Sequence, residues 1–316
     1  MTSQLKVQVL VSTFNGEKFI KAQIESILSQ LPAGSQITIR DDGSSDGTIA
    51  AIEEIPDPRV HLIRGTNLGF GGSFMRLIQE ASPIVDMVML SDQDDIWFHD
   101  KIERSWRSLA PFSDTPALYC SAQRLTDSDL NPLNDTKPWS RAPAFENAIV
   151  ENIVTGCTAA FNRQALILLQ IKNDLSGIYF HDWWIYLVMS ALGKVIYDPE
   201  PSLYYRQHKN NVIGHGAGVI MRQVQMVRFL LTHDWANILI EHIFAFNKNY
   251  RHLLNENQRK IIDDHFSITE DNITLQPTII WKSQLWRQNR AHEIPLKILL
   301  LNWQIKSIFK SLHTHK

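Results

Sequence analysis

The reactive chemistry of this 316-residue chain is concentrated in five consecutive positions, Ser91-Asp92-Gln93-Asp94-Asp95. Three carboxylates within four residues repel one another and lose hydration when half buried, so something must compensate them. A hard divalent cation does so with oxygen ligands, and magnesium or manganese commonly links one or two carboxylates to a substrate phosphate. The same residues also fit an acidic turn capping a helix that begins near Ile96, because Asp is a good N-cap. A second reactive stretch is Phe180-His181-Asp182-Trp183-Trp184. A carboxylate at a helix start among aromatic rings suits a general base: the helix dipole favours its ionised form while apolar neighbours raise its proton affinity. An Asp N-cap packed on tryptophans is the plainer account. In Tyr204-Tyr205-Arg206-Gln207-His208, Arg206 has the geometry to clamp a diphosphate bidentately and His208 to add a metal ligand; a solvated basic loop is the alternative.

These groups need a scaffold that brings them together. The run Ile84 to Leu90 reads as a short buried strand, so the acidic stretch lies where a parallel strand leaves its sheet, the usual place for ligands in open α/β sheets. Upstream, Val7 to Val11 reads as a first strand feeding the loop Ser12-Thr13-Phe14-Asn15-Gly16. Ile20, Ile24, Ile27, Leu28 and Leu31 recur at helical spacing, and Pro32-Ala33-Gly34 ends that helix. Gln36 to Arg40 is a second strand, ending in Asp41-Asp42-Gly43-Ser44-Ser45-Asp46-Gly47-Thr48, where Asp46 or Thr48 caps the next helix. Val60 to Ile63 is a third strand. Asn67 to Ser73 reads as a glycine-rich loop before a helix over Phe74 to Glu80. The β-α-β-α-β-α-β rhythm predicts a mostly parallel, helix-covered sheet. The glycines at 69 to 72 do not fit the G-x-G-x-x-G spacing of a dinucleotide fold and are not in the first strand-to-helix turn; no Walker A loop is present.

Farther on, a helix over Lys101 to Leu109 and a strand over Ala117 to Ser121 are expected. Residues 126 to 148 are polar and proline-punctuated, as in a loop or lid over a site. Asn152 to Asn162 reads as an edge or crossover strand through Gly156, followed by a helix over Gln164 to Gln170. A helix over Ile185 to Leu192 and a strand over Lys194 to Tyr197 come next. Past Gly214-His215-Gly216-Ala217-Gly218 the pattern turns helical, placing a boundary between a catalytic domain at 1–214 and a helical region at 215–316. Net charge is −2, which argues against bulk electrostatic binding of nucleic acid. Two cysteines and no signal-peptide pattern suggest a reducing cytoplasm. From Pro277 to Lys316, seven Lys or Arg face the single acid Glu293. There Ile298, Leu301, Ile305, Ile308, Phe309 and Leu312 fall on one helical face. Such a face suits either packing on the protein or peripheral contact with an anionic membrane surface at the inner side of the cell membrane.

Taken in order, these pieces resemble a family 2 glycosyltransferase of the GT-A fold. The resemblance rests on Val11-Ser12-Thr13-Phe14-Asn15, Asp41-Asp42-Gly43-Ser44-Ser45-Asp46 and Asp92-Gln93-Asp94-Asp95, and it covers roughly residues 7 to 210. Ser91 to Trp97, His181 to Trp184 and Tyr205 to His208 are similar to bacterial rhamnosyltransferase-like members that build surface polysaccharides. The resemblance implies that Thr13, Asn15 and Asp42 sit at the nucleotide, with Asp41 the second choice for the base contact. It places Asp92 and Asp94 at metal and ribose, with Asp95 able to replace either, and makes Asp182 the base that takes the acceptor hydroxyl's proton as the anomeric carbon inverts. His181-Asp182 departs from the family's acidic pair. The processive members' Gln-x-x-Arg-Trp element is missing, which implies transfer of one sugar. Its partners would be a dTDP- or UDP-linked sugar and a glycan or lipid-linked glycan. A sugar-nucleotide pyrophosphorylase would want a glycine-rich basic loop after strand one, which Ser12 to Glu17 does not supply. A carbohydrate-binding module would not need Asp182 beside a metal site.

Overall fold

The computed structural model describes residues 5–171, 175–207, 235–281 and 283–314, with backbone alone for 280–281 and 307–314. Among these residues, nine strands form one sheet in the order β3-β2-β1-β4-β8-β6-β9-β5, with β7 paired to β6. Its first half is parallel: β1 (Val7–Thr13), β2 (Gln36–Asp41), β3 (Val60–Arg64) and β4 (Met87–Ser91). Side chains alternate across this half as the strand period requires. Val7, Val9 and Val11 of β1 join Met87 and Met89 in one core, and Leu10 joins Val88 and Leu90 in the other. Burial on both faces explains why these strands read as continuous apolar runs.

Helices α1 (Ile20–Leu28), α2 (Thr48–Glu53) and, after the acidic turn, α4 (Lys101–Leu109) contribute to the first core. On the other side are α3 (Gly69–Glu80), α6 (Arg163–Leu169) and α7 (His181–Leu192). The expected loop at Gly69 to Ser73 is instead the opening of α3. Gly71 is needed there, because a Cβ on it would come within 2.3 Å of the Tyr179 carbonyl oxygen. The acidic turn caps no helix near Ile96: it runs into β5 (Ile96–Trp97), which pairs with β9.

The second half of the sheet is mixed. Only Ala160–Asn162 of the expected strand 152–162 is extended; this is β8, preceded by a single 3-10 turn at Gly156–Thr158. It is neither an edge nor a crossover, since it pairs antiparallel to both β4 and β6 (Ala117–Thr126) and seams the two halves together. β9 spans Lys194–Arg206 without a break, so Tyr204 to Arg206 is strand and not loop. Its prolines pass because the β6–β9 register shifts between Ser121 and Ala122, the irregularity at which a strand tolerates proline. Within 126–148 lie β7 (Pro132–Asp135) and the short helix α5 (Phe145–Ala148).

The division near residue 215 falls among residues 208–234, outside those described. Beyond it come α8 (Trp235–Tyr250), α9 (Glu256–His265), a hairpin of β10 (Phe266–Ile268) and β11 (Ile273–Leu275), α10 (Thr278–Trp281) and α11 (Glu293–Thr314). Leu239, Ile243, Phe246 and Tyr250 of α8 share one core with Trp184 of α7. On α11, Leu296 and Leu300 are buried, whereas Ile294, Ile298, Leu301 and Ile305 are exposed. The described part of the basic tail's apolar face is therefore turned to solvent, and a different face docks the helix.

Candidate active site

The acidic turn is fastened to the first strand's loop by a residue that motif reading passed over. Gln93 Oε1 accepts from the Thr13 hydroxyl (2.7 Å) and the Phe14 N–H (2.8 Å), and Gln93 Nε2 donates to the Phe14 carbonyl at 3.2 Å. Gly16 makes this possible, because a Cβ there would stand 2.3 Å from Gln93 Oε1. Thr13 is thereby committed to shaping the site from a buried position.

Asp92 and Asp94 are half-buried and Asp95 is buried. Burial, then the neighbouring Asp94 and Asp182, push the Asp92 carboxyl up to about 7; Asp95 is pushed up by burial and by Asp94 and Asp92. Asp95 accepts the Arg206 N–H at 3.2 Å, while its second oxygen is buried with no hydrogen-bond partner among the described residues. Ligand atoms of Asp92, Asp95 and Cys157 all lie within 4.8 Å of one another. Near them Lys101 is fully buried, donates to the Cys157 carbonyl at 2.5 Å and lies 4.4 Å from the Trp97 ring centre; burial lowers its proton affinity to about 8, an effect partly offset by Cys157, Asp95 and Asp92. Its burial would cost several kcal/mol without such partners. Carboxylates left with raised proton affinity and an orphaned oxygen fit a hard divalent ion. The Cys157 thiol beside them is pushed up by burial, Asp95 and Asp92.

The loops that follow β1 and β2 are pre-shaped. Asn15, at φ 50, accepts the Ser45 N–H with its side chain (2.8 Å), and its own N–H donates to the Ser44 hydroxyl at 2.9 Å. Asp41 accepts the N–H groups of Gly43 and Ser44 with one oxygen; the other is buried without a partner among the described residues. Asp42 is paired with Arg40 and accepts the Leu68 N–H at 2.9 Å. Of the two, Asp41 keeps acceptor capacity and Asp42 is spent on joining β2 to the start of α3.

Asp182 stands in the first turn of α7 and accepts the Trp183 N–H at 2.7 Å. Burial pushes its carboxyl up to about 6, an effect partly offset by the Trp183 N–H, the Asn152 side chain and the Gly156 backbone. Asp182 is close enough to Asp92 to raise that residue's proton affinity, so two motifs 90 positions apart are brought near each other. His181 is stacked instead on Phe74, with ring centres 4.2 Å apart, and is kept neutral by burial, its affinity lowered to about 3. Arg206 is buried with Nε donating to the Asp94 carbonyl at 2.8 Å, NH1 donating to the Ser128 carbonyl at 2.5 Å, and its guanidinium over the Phe19 ring. It holds the acidic turn from the β9 side. His208 lies outside the described residues.

Comparison with known proteins identifies the family and the fold. A glycosyl transferase family 2 model matches residues 8–168. The chain is 31% identical over 216 residues to the dTDP-rhamnosyl transferase RfbG of Shigella flexneri, covering 65% of this chain and 73% of that protein. Among solved structures, residues 1–349 of Staphylococcus aureus TarS in complex with UDP superpose with a TM-score of 0.53 at 15% identity, over 86% of this chain and 96% of that one. The mannosyltransferase PcManGT of Pyrobaculum calidifontis, in complex with GDP-Man and Mn2+, gives 0.50 at 17% identity, over 95% and 88%. Those two likenesses bear on the fold.

Proposed function

The chain belongs to glycosyl transferase family 2, and from that membership we propose that it inverts the anomeric centre of a single sugar, rhamnose, carried from dTDP to a glycan of a bacterial surface polysaccharide. That it is a glycosyltransferase of GT-A fold follows from the family match and the architecture together. The donor assignment draws support from the dTDP-rhamnosyl transferase relative; a UDP-linked sugar is the second choice. The observation that carries the mechanism is the meeting of Asp182, poised near pH 6 in the first turn of α7, with the acidic turn.

In this reading, Thr13, Asn15 and Asp41 receive the nucleoside, with Asp42 bracing them through Arg40. Asp92 and Asp94, with Asp95 behind them, hold a magnesium or manganese ion, and Arg206 keeps that turn in register. When bound, the ion supplies charge neutralisation for the leaving diphosphate. Asp182 takes the acceptor hydroxyl's proton; a base with affinity near the working pH combines ionisation with basicity. Holding donor and acceptor in line supplies much of the rest.

The exposed face of α11 supports a further element of the reading, peripheral contact with an anionic bilayer. Ile294, Ile298, Leu301 and Ile305 are apolar and exposed, and Lys297 and Lys306 flank them. An amphipathic basic helix binds such a surface through both its apolar area and its charge, and a lipid-linked acceptor would be confined there. Among the described residues no helix is long and apolar enough to cross a membrane.

The test is nucleoside diphosphate release from dTDP-rhamnose, UDP-glucose, UDP-N-acetylglucosamine and GDP-mannose, with magnesium, manganese or excess chelator. Metal-dependent release from dTDP-rhamnose, abolished by Asp94→Asn without a change in melting temperature, is expected. Full activity in chelator overturns the metal assignment. Turnover of a nucleoside triphosphate with a sugar phosphate would make the protein a pyrophosphorylase instead.

A further inference from the structure

The segment that leads to Asp182 is gripped by a helix from the far end of the chain. The N–H groups of Tyr179 and Phe180, the two residues leading into α7, both donate to Nε2 of His242 on α8, at 2.9 and 3.3 Å. The Phe180 side chain at the N-cap makes no capping hydrogen bond to the start of α7. His242 is 1% exposed and kept neutral by burial. Nε2 therefore offers a lone pair, which puts the ring proton on Nδ1. The ring sits against Trp183 and Trp184, centres 5.1 and 6.3 Å away, the residues that follow Asp182.

Contacts on either side tighten the grip. The Tyr179 hydroxyl donates to the Glu241 carboxylate, next to His242 on α8. A Cβ on Gly177 would lie 3.2 Å from the Glu241 carbonyl, and one on Gly71 of α3 would lie 2.3 Å from the Tyr179 carbonyl. Residues 177 to 180 thus run in a slot between α3 and α8 with no room for slack. His242 thus pins the N-cap residue Phe180 and the residue before it, from which α7 sets out.

We propose that His242 is a positioning residue for the transfer reaction: its neutral imidazole accepts both N–H groups, fixes the first turn of α7 and so aims Asp182 at the acceptor hydroxyl. The proposal rests on Asp182 being the base. It makes the C-terminal helices, outside the family match at 8–168, part of the catalytic unit. A displacement of the base by about 1 Å is enough to lower turnover by up to about 100-fold.

The experiment compares His242→Leu, which fills the space without an acceptor, with His242→Gln, which restores one, using the full chain. Hydrogen–deuterium exchange of the peptide over residues 175 to 184 reads the grip without any substrate. Initial rates of dTDP-rhamnose hydrolysis, or of whichever sugar nucleotide the wild type turns over, read the consequence. His242→Leu is expected to lose protection in that peptide alone and to lower kcat by about 10- to 100-fold with donor KM within about twofold. His242→Gln should recover both. Unchanged exchange in His242→Leu, or Gln behaving like Leu, overturns the proposal. With Asp182→Asn measured in parallel, a strong kcat loss there beside wild-type kcat in His242→Leu overturns the positioning role alone. An Asp182→Asn enzyme with wild-type kcat would overturn the base assignment and this proposal with it.

Discussion

Replacing Asp182 by Asn should make the protein more stable and nearly inactive, and the two effects have the same origin. In the folded chain, burial raises the carboxyl from 3.8 to about 6. Each tenfold gain in proton affinity corresponds to ~1.4 kcal/mol, so the ionised group destabilises the native state by roughly 3 kcal/mol above pH 7. The native state holds this proton more tightly than the unfolded chain does. Its contribution to stability is therefore greatest below pH 3.8 and falls as pH rises through 6. Asn cannot ionise and keeps an oxygen for the Trp183 N–H, but its NH2 fits poorly against the Gly156 backbone, so a net gain of about 1–3 kcal/mol is expected at pH 8. At pH 5, with the wild-type group mostly protonated in the fold, the gain should be smaller by about 1.4 kcal/mol. Urea unfolding of both proteins in chelator at pH 8 and pH 5 measures it, and kcat should fall on the order of 100-fold or more. An Asn variant less stable than wild type at pH 8, or equally stabilised at both pH values, refutes the argument that burial sets this base.

Three other outcomes follow from the geometry. Lys101→Met should cost about 1–3 kcal/mol in urea unfolding by leaving the buried Cys157 carbonyl without its donor, and Asp95→Asn added to it should recover part of the loss if the lysine also compensates that aspartate; simple additivity would show that it does not. Gly16→Ala places a methyl group 2.3 Å from Gln93 Oε1 and should weaken nucleoside diphosphate binding by calorimetry while the melting temperature barely moves. Full-length protein should sediment with phosphatidylglycerol vesicles at low salt and be released at about 0.5 M salt, where screening is short-ranged; replacement of Ile298 and Ile305 by Ser should abolish binding, and indifference of the wild type to the vesicles would dismiss the membrane face.

The parts of the site visible in the sequence are those encoded by neighbours. Asp92, Asp94 and Asp95 follow a strand, and Asp182 opens a helix, so short-range pattern locates each one. Gly69 to Ser73 read as a loop because glycine disfavours helices, yet the close approach of Tyr179 to Gly71 requires that residue inside one. Prolines 199 and 201 hid the length of β9, since the register shift that admits them shows only in its pairing with β6. Asp42 and Asp41 look equivalent in sequence; only the partner Arg40 shows which is occupied. On α11, two apolar faces lie side by side, and periodicity cannot say that Leu296 and Leu300 dock while Ile298 and Ile305 do not. His242 could not be found at all, because nothing local marks a residue whose partners lie some 60 positions away.

The seam strand β8 also dictates an order of assembly. The parallel half of the sheet has all its strands once residue 91 exists, because β1 to β4 make their parallel pairs among themselves. It cannot be joined to the β6–β9 half until residues 160 to 162 arrive, with only a few paired residues on each side. Nascent chains condense from the N-terminus, and close contacts form before distant ones. In a growing polypeptide the loops proposed to hold the donor would therefore come first, and the helix that carries Asp182 would be pinned only when residue 242 has been made.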